Sequence, residues 1–78
     1  MNARLSLVIA ETFNVPADAV RPDASAKTVP AWDSLGHLTL VAALEKAFGA
    51  SFTMDEILAM ENAGGIERLL RDKGLLGA

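Results

Sequence analysis

All three prolines of the chain, Pro16, Pro22 and Pro30, fall between residues 14 and 32. Proline fixes φ, gives up its N–H and disfavours helical backbone in the residue before it, so neither a helix nor a central strand passes through this stretch. Asp18, Asp23 and Ser25 lie among the prolines, and no hydrophobic period is sustained. The stretch reads as one long loop, with at most a short helical turn near Ala17 to Val20. A loop of this length inside a small domain must be functional or pinned by its own side chains. Val15, Val20, Val29 and Trp32 are the candidate pins.

On both sides of the loop the pattern is helical. Leu5, Val8, Ile9 and Phe13 recur at helical spacing and predict a first helix from Ala3 to Phe13. After the loop, Asp33 is a good N-cap for a second helix from Ser34 to Phe48, and Gly49 follows as a C-terminal stop should. Thr53-Met54-Asp55-Glu56 matches the T-x-x-E capping box and opens a short helix through Ile57 and Leu58, extending at most to Met60. Asn62 can cap a fourth helix, whose apolar face is Ile66, Leu69 and Leu70 and which ends before Gly74. Nothing alternates with the period of a strand. The expected fold is all-α: a small four-helix bundle of three main helices and one short one, in a single domain over residues 1–78.

Of the 40 apolar residues among the 78, 14 are alanine. That suffices for one core but not for a core plus a deep substrate cavity, so a self-contained enzyme is disfavoured. The absence of cysteine excludes disulfides, zinc–thiolate sites and a thiol nucleophile supplied by the chain, and makes the cytoplasm the expected compartment. The longest apolar run, Leu40 to Leu44, is far too short to span a membrane, and Met1-Asn2-Ala3-Arg4 opens no signal-peptide pattern. A net charge of −3 without a Lys/Arg cluster lacks the electrostatic footprint of a nucleic-acid binder.

The second helix carries two apolar stripes. At about 100° per residue, Leu40, Leu44 and Phe48, with His37 and Val41 beside them, make one that suits a core. Leu35, Leu38 and Ala42 lie on the opposite side. So small a bundle cannot bury both, and an exposed apolar stripe marks a partner surface. The alternative is that the long loop folds over the second stripe and hides it. Ser34 heads this stripe, where unpaired N–H groups and the positive end of the helix dipole favour an anion such as a phosphate ester. Read alone, a serine in this place is more often just a second capping residue after Asp33.

Trp32-Asp33-Ser34-Leu35-Gly36-His37-Leu38, followed by Leu44-Glu45-Lys46-Ala47-Phe48-Gly49, resembles the acyl carrier and peptidyl carrier protein family along essentially the whole chain. The resemblance implies that Ser34 receives a 4′-phosphopantetheine arm from a phosphopantetheinyl transferase, with Asp33 and Leu35 as flanking recognition residues. It also implies that Leu35, Leu38, Thr39 and Ala42 meet partner enzymes, among them a loading enzyme and downstream biosynthetic enzymes. Acyl or aminoacyl cargo would ride as a thioester on the arm's thiol, and the carrier, expected to be a monomer, would catalyse nothing. Carriers of fatty acid synthesis usually have an acid directly after Asp-Ser-Leu and more along the second helix. Here those places hold Gly36, Thr39 and Lys46, and the Gly-Gly that commonly precedes the serine of peptide-synthetase carriers is absent. The pattern is more similar to stand-alone or polyketide-associated carriers of specialised pathways. The rival reading is a non-covalent interaction module that binds one partner through Leu35, Leu38 and Ala42.

Remaining constellations have plainer readings. His37, three residues from Ser34, lacks an orienting third group and reads as a packed or capping histidine that could touch the arm's phosphate. Asp55 and Glu56 suit the first turn of a helix rather than a catalytic pair. A lone histidine and scattered acids offer no metal-ligand spacing. Trp32 is expected to anchor the loop, its indole N–H bonded to a nearby carbonyl, with cargo stacking as the alternative. Met54 and Met60 either line an acyl groove between the second and third helices or fill the core.

Overall fold

The computed structural model describes residues 1–77. Four α-helices run in the expected order: α1 over Ala3–Phe13, α2 over Ser34–Phe48, α3 over Met54–Ala59 and α4 over Ala63–Asp72. Each starts with a side chain that accepts a backbone N–H left free by the first turn. Asn2 accepts from Leu5, Asp33 from Gly36, Thr53 from Glu56 and Asn62 from Gly65. Thr53 and Glu56 complete the capping box reciprocally. Asn14 and Gly49 end α1 and α2 in left-handed conformation, at φ 55° and 61°.

The largest fully buried side chains are Leu5 and Ile9 from α1, Leu40 and Leu44 from α2, and Ile66 and Leu70 from α4. Those three helices make the core. α3 buries none of its own six residues. Its flanks do so instead, through Phe52 and Met60, and Lys73 at the end of α4 reaches Glu56 at 2.9 Å. The Glu56 carboxylate is held below its ordinary range, first by the Thr53 N–H it accepts and then by the Lys73 ammonium.

The long loop is pinned as expected, with Val20 and Trp32 buried and Val15 and Val29 packed half-buried against the core. Ala17–Ala19 form a 3₁₀ turn. Ala24 is a further, unforeseen pin. Its carbonyl accepts the Ala63 N–H at 2.9 Å, and that of Pro22 accepts the Gly64 N–H at 2.8 Å, so the loop also satisfies the opening turn of α4. These fastenings hold the loop against α1 and α4, and it does not cover the second apolar stripe of α2. Leu35 remains 74% exposed and Leu38 57%, with Ala42 exposed beside them.

Two leucines on one helix thus occupy opposite environments. Leu44→Ala should lose the roughly 2 to 5 kcal/mol of a buried truncation, and Leu38→Ala less than about 1 kcal/mol. Urea melts of the two variants check this; equal losses would mean that the outer stripe is covered.

Candidate functional site

The site is built on the turn that enters α2. Asp33 Oδ1 accepts the Gly36 N–H at 2.8 Å, and the Asp33 carbonyl accepts the His37 N–H. The side-chain cap is therefore supplied without Ser34. Its side chain stands exposed at the first helical position, and among the described residues its hydroxyl has no protein partner. That resolves the ambiguity of Ser34 against the second-cap reading.

Gly36 is where the loop closes on the helix. A Cβ there would stand 2.0 Å from the Ala31 carbonyl oxygen, so the loop backbone occupies the space of a side chain. This explains why the position after Asp-Ser-Leu carries no acid: no carboxylate fits without moving residues 30–32.

Trp32 is 3% exposed and stacks on Phe13 with ring centroids 5.2 Å apart. Its indole N–H does not bond to a carbonyl, as expected from sequence, but to Nδ1 of His37 at 2.9 Å. The turn at Asp33 brings the imidazole nearly parallel to the indole, with 15° between the ring planes, and an unprotonated ring nitrogen is as good an acceptor. The other ring nitrogen, Nε2, lies 2.8 Å from the Ile57 carbonyl oxygen of α3 and donates to it. Both nitrogens are engaged, so His37 offers Ser34 no free base.

Between α2 and α3 runs an open groove of about 520 Å³ beside Ser34. Trp32, His37, Ile57, Leu58 and Met60 line it, with the carboxylates of Asp33 and Glu61 and no Lys or Arg. Of the two methionines considered for such a groove, Met60 belongs to it. Met54 does not: at 65% exposure it points away, because it sits in the first turn of a six-residue helix whose inward side is Ile57.

Leu35, Leu38, Thr39 and Ala42 share the exposed face of α2. Glu45 is withdrawn from that surface, its carboxylate accepting the Phe52 N–H at 3.0 Å. Sequence reasoning missed this contact, which depends on how the connection between α2 and α3 turns back. Asp55 and Glu56 sit in the capping turn of α3, and among the described residues no group of His, Asp or Glu could hold a metal.

A family model described as "Phosphopantetheine attachment site" matches residues 3–70. The chain belongs to the phosphopantetheine-binding carrier family. Among solved structures, the carrier is similar to the holo acyl carrier protein of Geobacter metallireducens, determined by solution NMR. The TM-score is 0.81 at 27% identity, over 94% of this chain and 86% of that one. A search of curated proteins finds no match. The carrier is non-catalytic, and its prosthetic group is 4′-phosphopantetheine, on which intermediates are carried. The site fits that group. An exposed, unengaged hydroxyl is free to be esterified, the unpaired N–H groups at the start of α2 suit a phosphate, and the adjoining groove has an apolar lining. Among the described residues no helix is long and apolar enough to cross a membrane.

The tight approach at Gly36 gives a test. Helix propensity alone would favour Gly36→Ala by about 1 kcal/mol. The collision with Ala31 should reverse the sign, giving a net loss of roughly 1 to 3 kcal/mol with altered Trp32 fluorescence. A more stable variant with unchanged fluorescence would show that the loop does not press on the helix.

Proposed function

We propose that Ser34 is the attachment residue, and that the protein is a stand-alone, cytoplasmic, monomeric carrier of acyl or aminoacyl thioesters for a specialised pathway, polyketide-like or otherwise secondary. The observation that carries the attachment is the Ser34 hydroxyl itself, exposed at the head of α2 and left free by the Asp33 cap. The other serines are less suitable. Ser6 is half-buried within α1, the Ser25 hydroxyl accepts the Lys27 N–H, and Ser51 lies in the connection before α3 rather than at a helix start.

In this reading Asp33 and Leu35 flank the hydroxyl for the transferase. Asp33 holds the turn through Gly36, and Leu35, 74% exposed, offers the first apolar contact. The N–H groups of Ser34 and Leu35 face the phosphate of the ester. The bound arm supplies a thiol that holds cargo as a thioester. Trp32, Ile57 and Met60 give its apolar portion a surface along the groove.

Partner enzymes, the transferase and a loading enzyme among them, would dock on Leu35, Leu38, Thr39 and Ala42. Lys46 and Asp33 are the charges left on this side of α2, since Glu45 is tied to Phe52. An almost uncharged face suits an apolar partner patch better than a strongly basic one, which supports the assignment to a specialised pathway.

Incubation with coenzyme A, Mg²⁺ and a broad-specificity transferase should add the mass of one arm. Ser34→Ala should gain nothing while keeping its stability within about 1 kcal/mol, because Asp33 still caps the helix. A mass gain that survives Ser34→Ala refutes the attachment. For docking, the transferase's KM for the carrier should change little between low and moderate salt and rise several-fold in Leu38→Asp. Steep salt dependence with indifference to Leu38→Asp would place the contact elsewhere.

A further inference from the structure

The imidazole of His37 joins three parts of the fold beside Ser34. It accepts from the Trp32 indole of the loop, belongs to α2, and donates to the Ile57 carbonyl of α3. Of the forms a histidine can take, one satisfies both bonds: the neutral ring with its proton on Nε2. The other neutral tautomer sets N–H against N–H and lone pair against lone pair. The imidazolium keeps the bond to Ile57 but turns a second donor onto the indole N–H.

Both ends of this relay matter to the site. α3 buries none of its own residues, so the bond to Ile57 is one of its few tethers, along with the Lys73–Glu56 pair and the flanking Phe52 and Met60. Trp32 stands two positions before Ser34. Its backbone N–H is bonded to the Val29 carbonyl, and the Ala31 carbonyl next to it is pressed against Gly36. A shift of the indole therefore moves residues 31–33, which set the approach to Ser34.

We propose that His37 is a positioning residue for modification at Ser34: as a neutral Nε2–H imidazole it locks Trp32 and α3 around the attachment turn, and a second ring proton releases Trp32 and loosens that turn. The charged groups lining the groove with His37 are Asp33, from the turn before α2, and Glu61, just beyond α3. α3 adds Asp55 and Glu56, the latter paired with Lys73, and α2 adds Glu45, held by the Phe52 N–H. The groove lining includes no residue of α1 or α4. The effect on modification rests on Ser34 being the attachment residue; the proton-linked release of Trp32 does not.

Trp32 is the single tryptophan, so it reports on the clasp directly. In the unmodified full chain, its fluorescence and indole N–H resonance should show a one-proton transition on acidification. His37→Gln retains a donor and an acceptor but cannot titrate, and should show no such transition. His37→Leu should also be flat, with amide exchange in α3 at least tenfold faster throughout. In transferase assays the ratio of kcat/KM for the unsubstituted protein to that for His37→Gln cancels the enzyme's own pH dependence. The ratio should fall several-fold on acidification, whatever its starting value. A flat response of Trp32 in the unsubstituted protein overturns the proposal. So does a transition that persists in His37→Gln, which would assign it to Asp33 or Glu61. A titrating Trp32 with a constant kcat/KM ratio overturns the positioning role, whereas failure of the attachment reading would appear separately, as modification independent of Ser34.

Discussion

A helix with two apolar faces in a domain with core for one must leave the other outside. α2 is that helix. Leu40 and Leu44 face the core and are fully buried, which turns Leu35, Leu38 and Ala42 outward. The loop of residues 14–33 could have covered the outer face. It is drawn to the other side by Val20, Ala24 and Trp32, and by the bonds of Pro22 and Ala24 to the start of α4. Ser34 heads the uncovered face as a consequence.

Most of this architecture is legible in local sequence signals. Helical spacing locates α1 and α2, and the cap residues Asp33, Thr53 and Asn62 mark three helix starts that the structure reproduces. These are interactions within four residues, which sequence displays directly. The order of helices and the motif around Ser34 also carry the family. Contacts between distant segments are not legible. The indole of Trp32 finding His37 requires knowing where Ile57 will lie, twenty residues on, because that carbonyl selects the tautomer. The same holds for Glu45 with Phe52, and for Met60 turning inward while Met54 turns out. The burial of Ala24 leaves no mark in a periodicity that the prolines have already broken.

Charge and burial together describe how such a carrier meets its partners. A face with few formal charges would give a partner docking there little steering, and affinity would depend on desolvating Leu35 and Leu38. α3, at the other rim of the groove, carries the acids Asp55 and Glu56 and the exposed apolar side chains of Met54 and Leu58. A partner that spans both helices would meet apolar contacts on each and carboxylates on one. The polar link between the helices at this groove runs through His37, whose Nε2 bond to the Ile57 carbonyl ties α3 to α2 beside the Lys73–Glu56 pair and the flanking Phe52 and Met60.

If this fold exists to present one hydroxyl, the most direct test is peptide-level fragmentation of the protein purified from its own host, reading which serine carries added mass. Phosphopantetheine, with or without cargo, is expected on Ser34, with Ser6, Ser25 and Ser51 unmodified. An arm on another serine would contradict that role for Ser34.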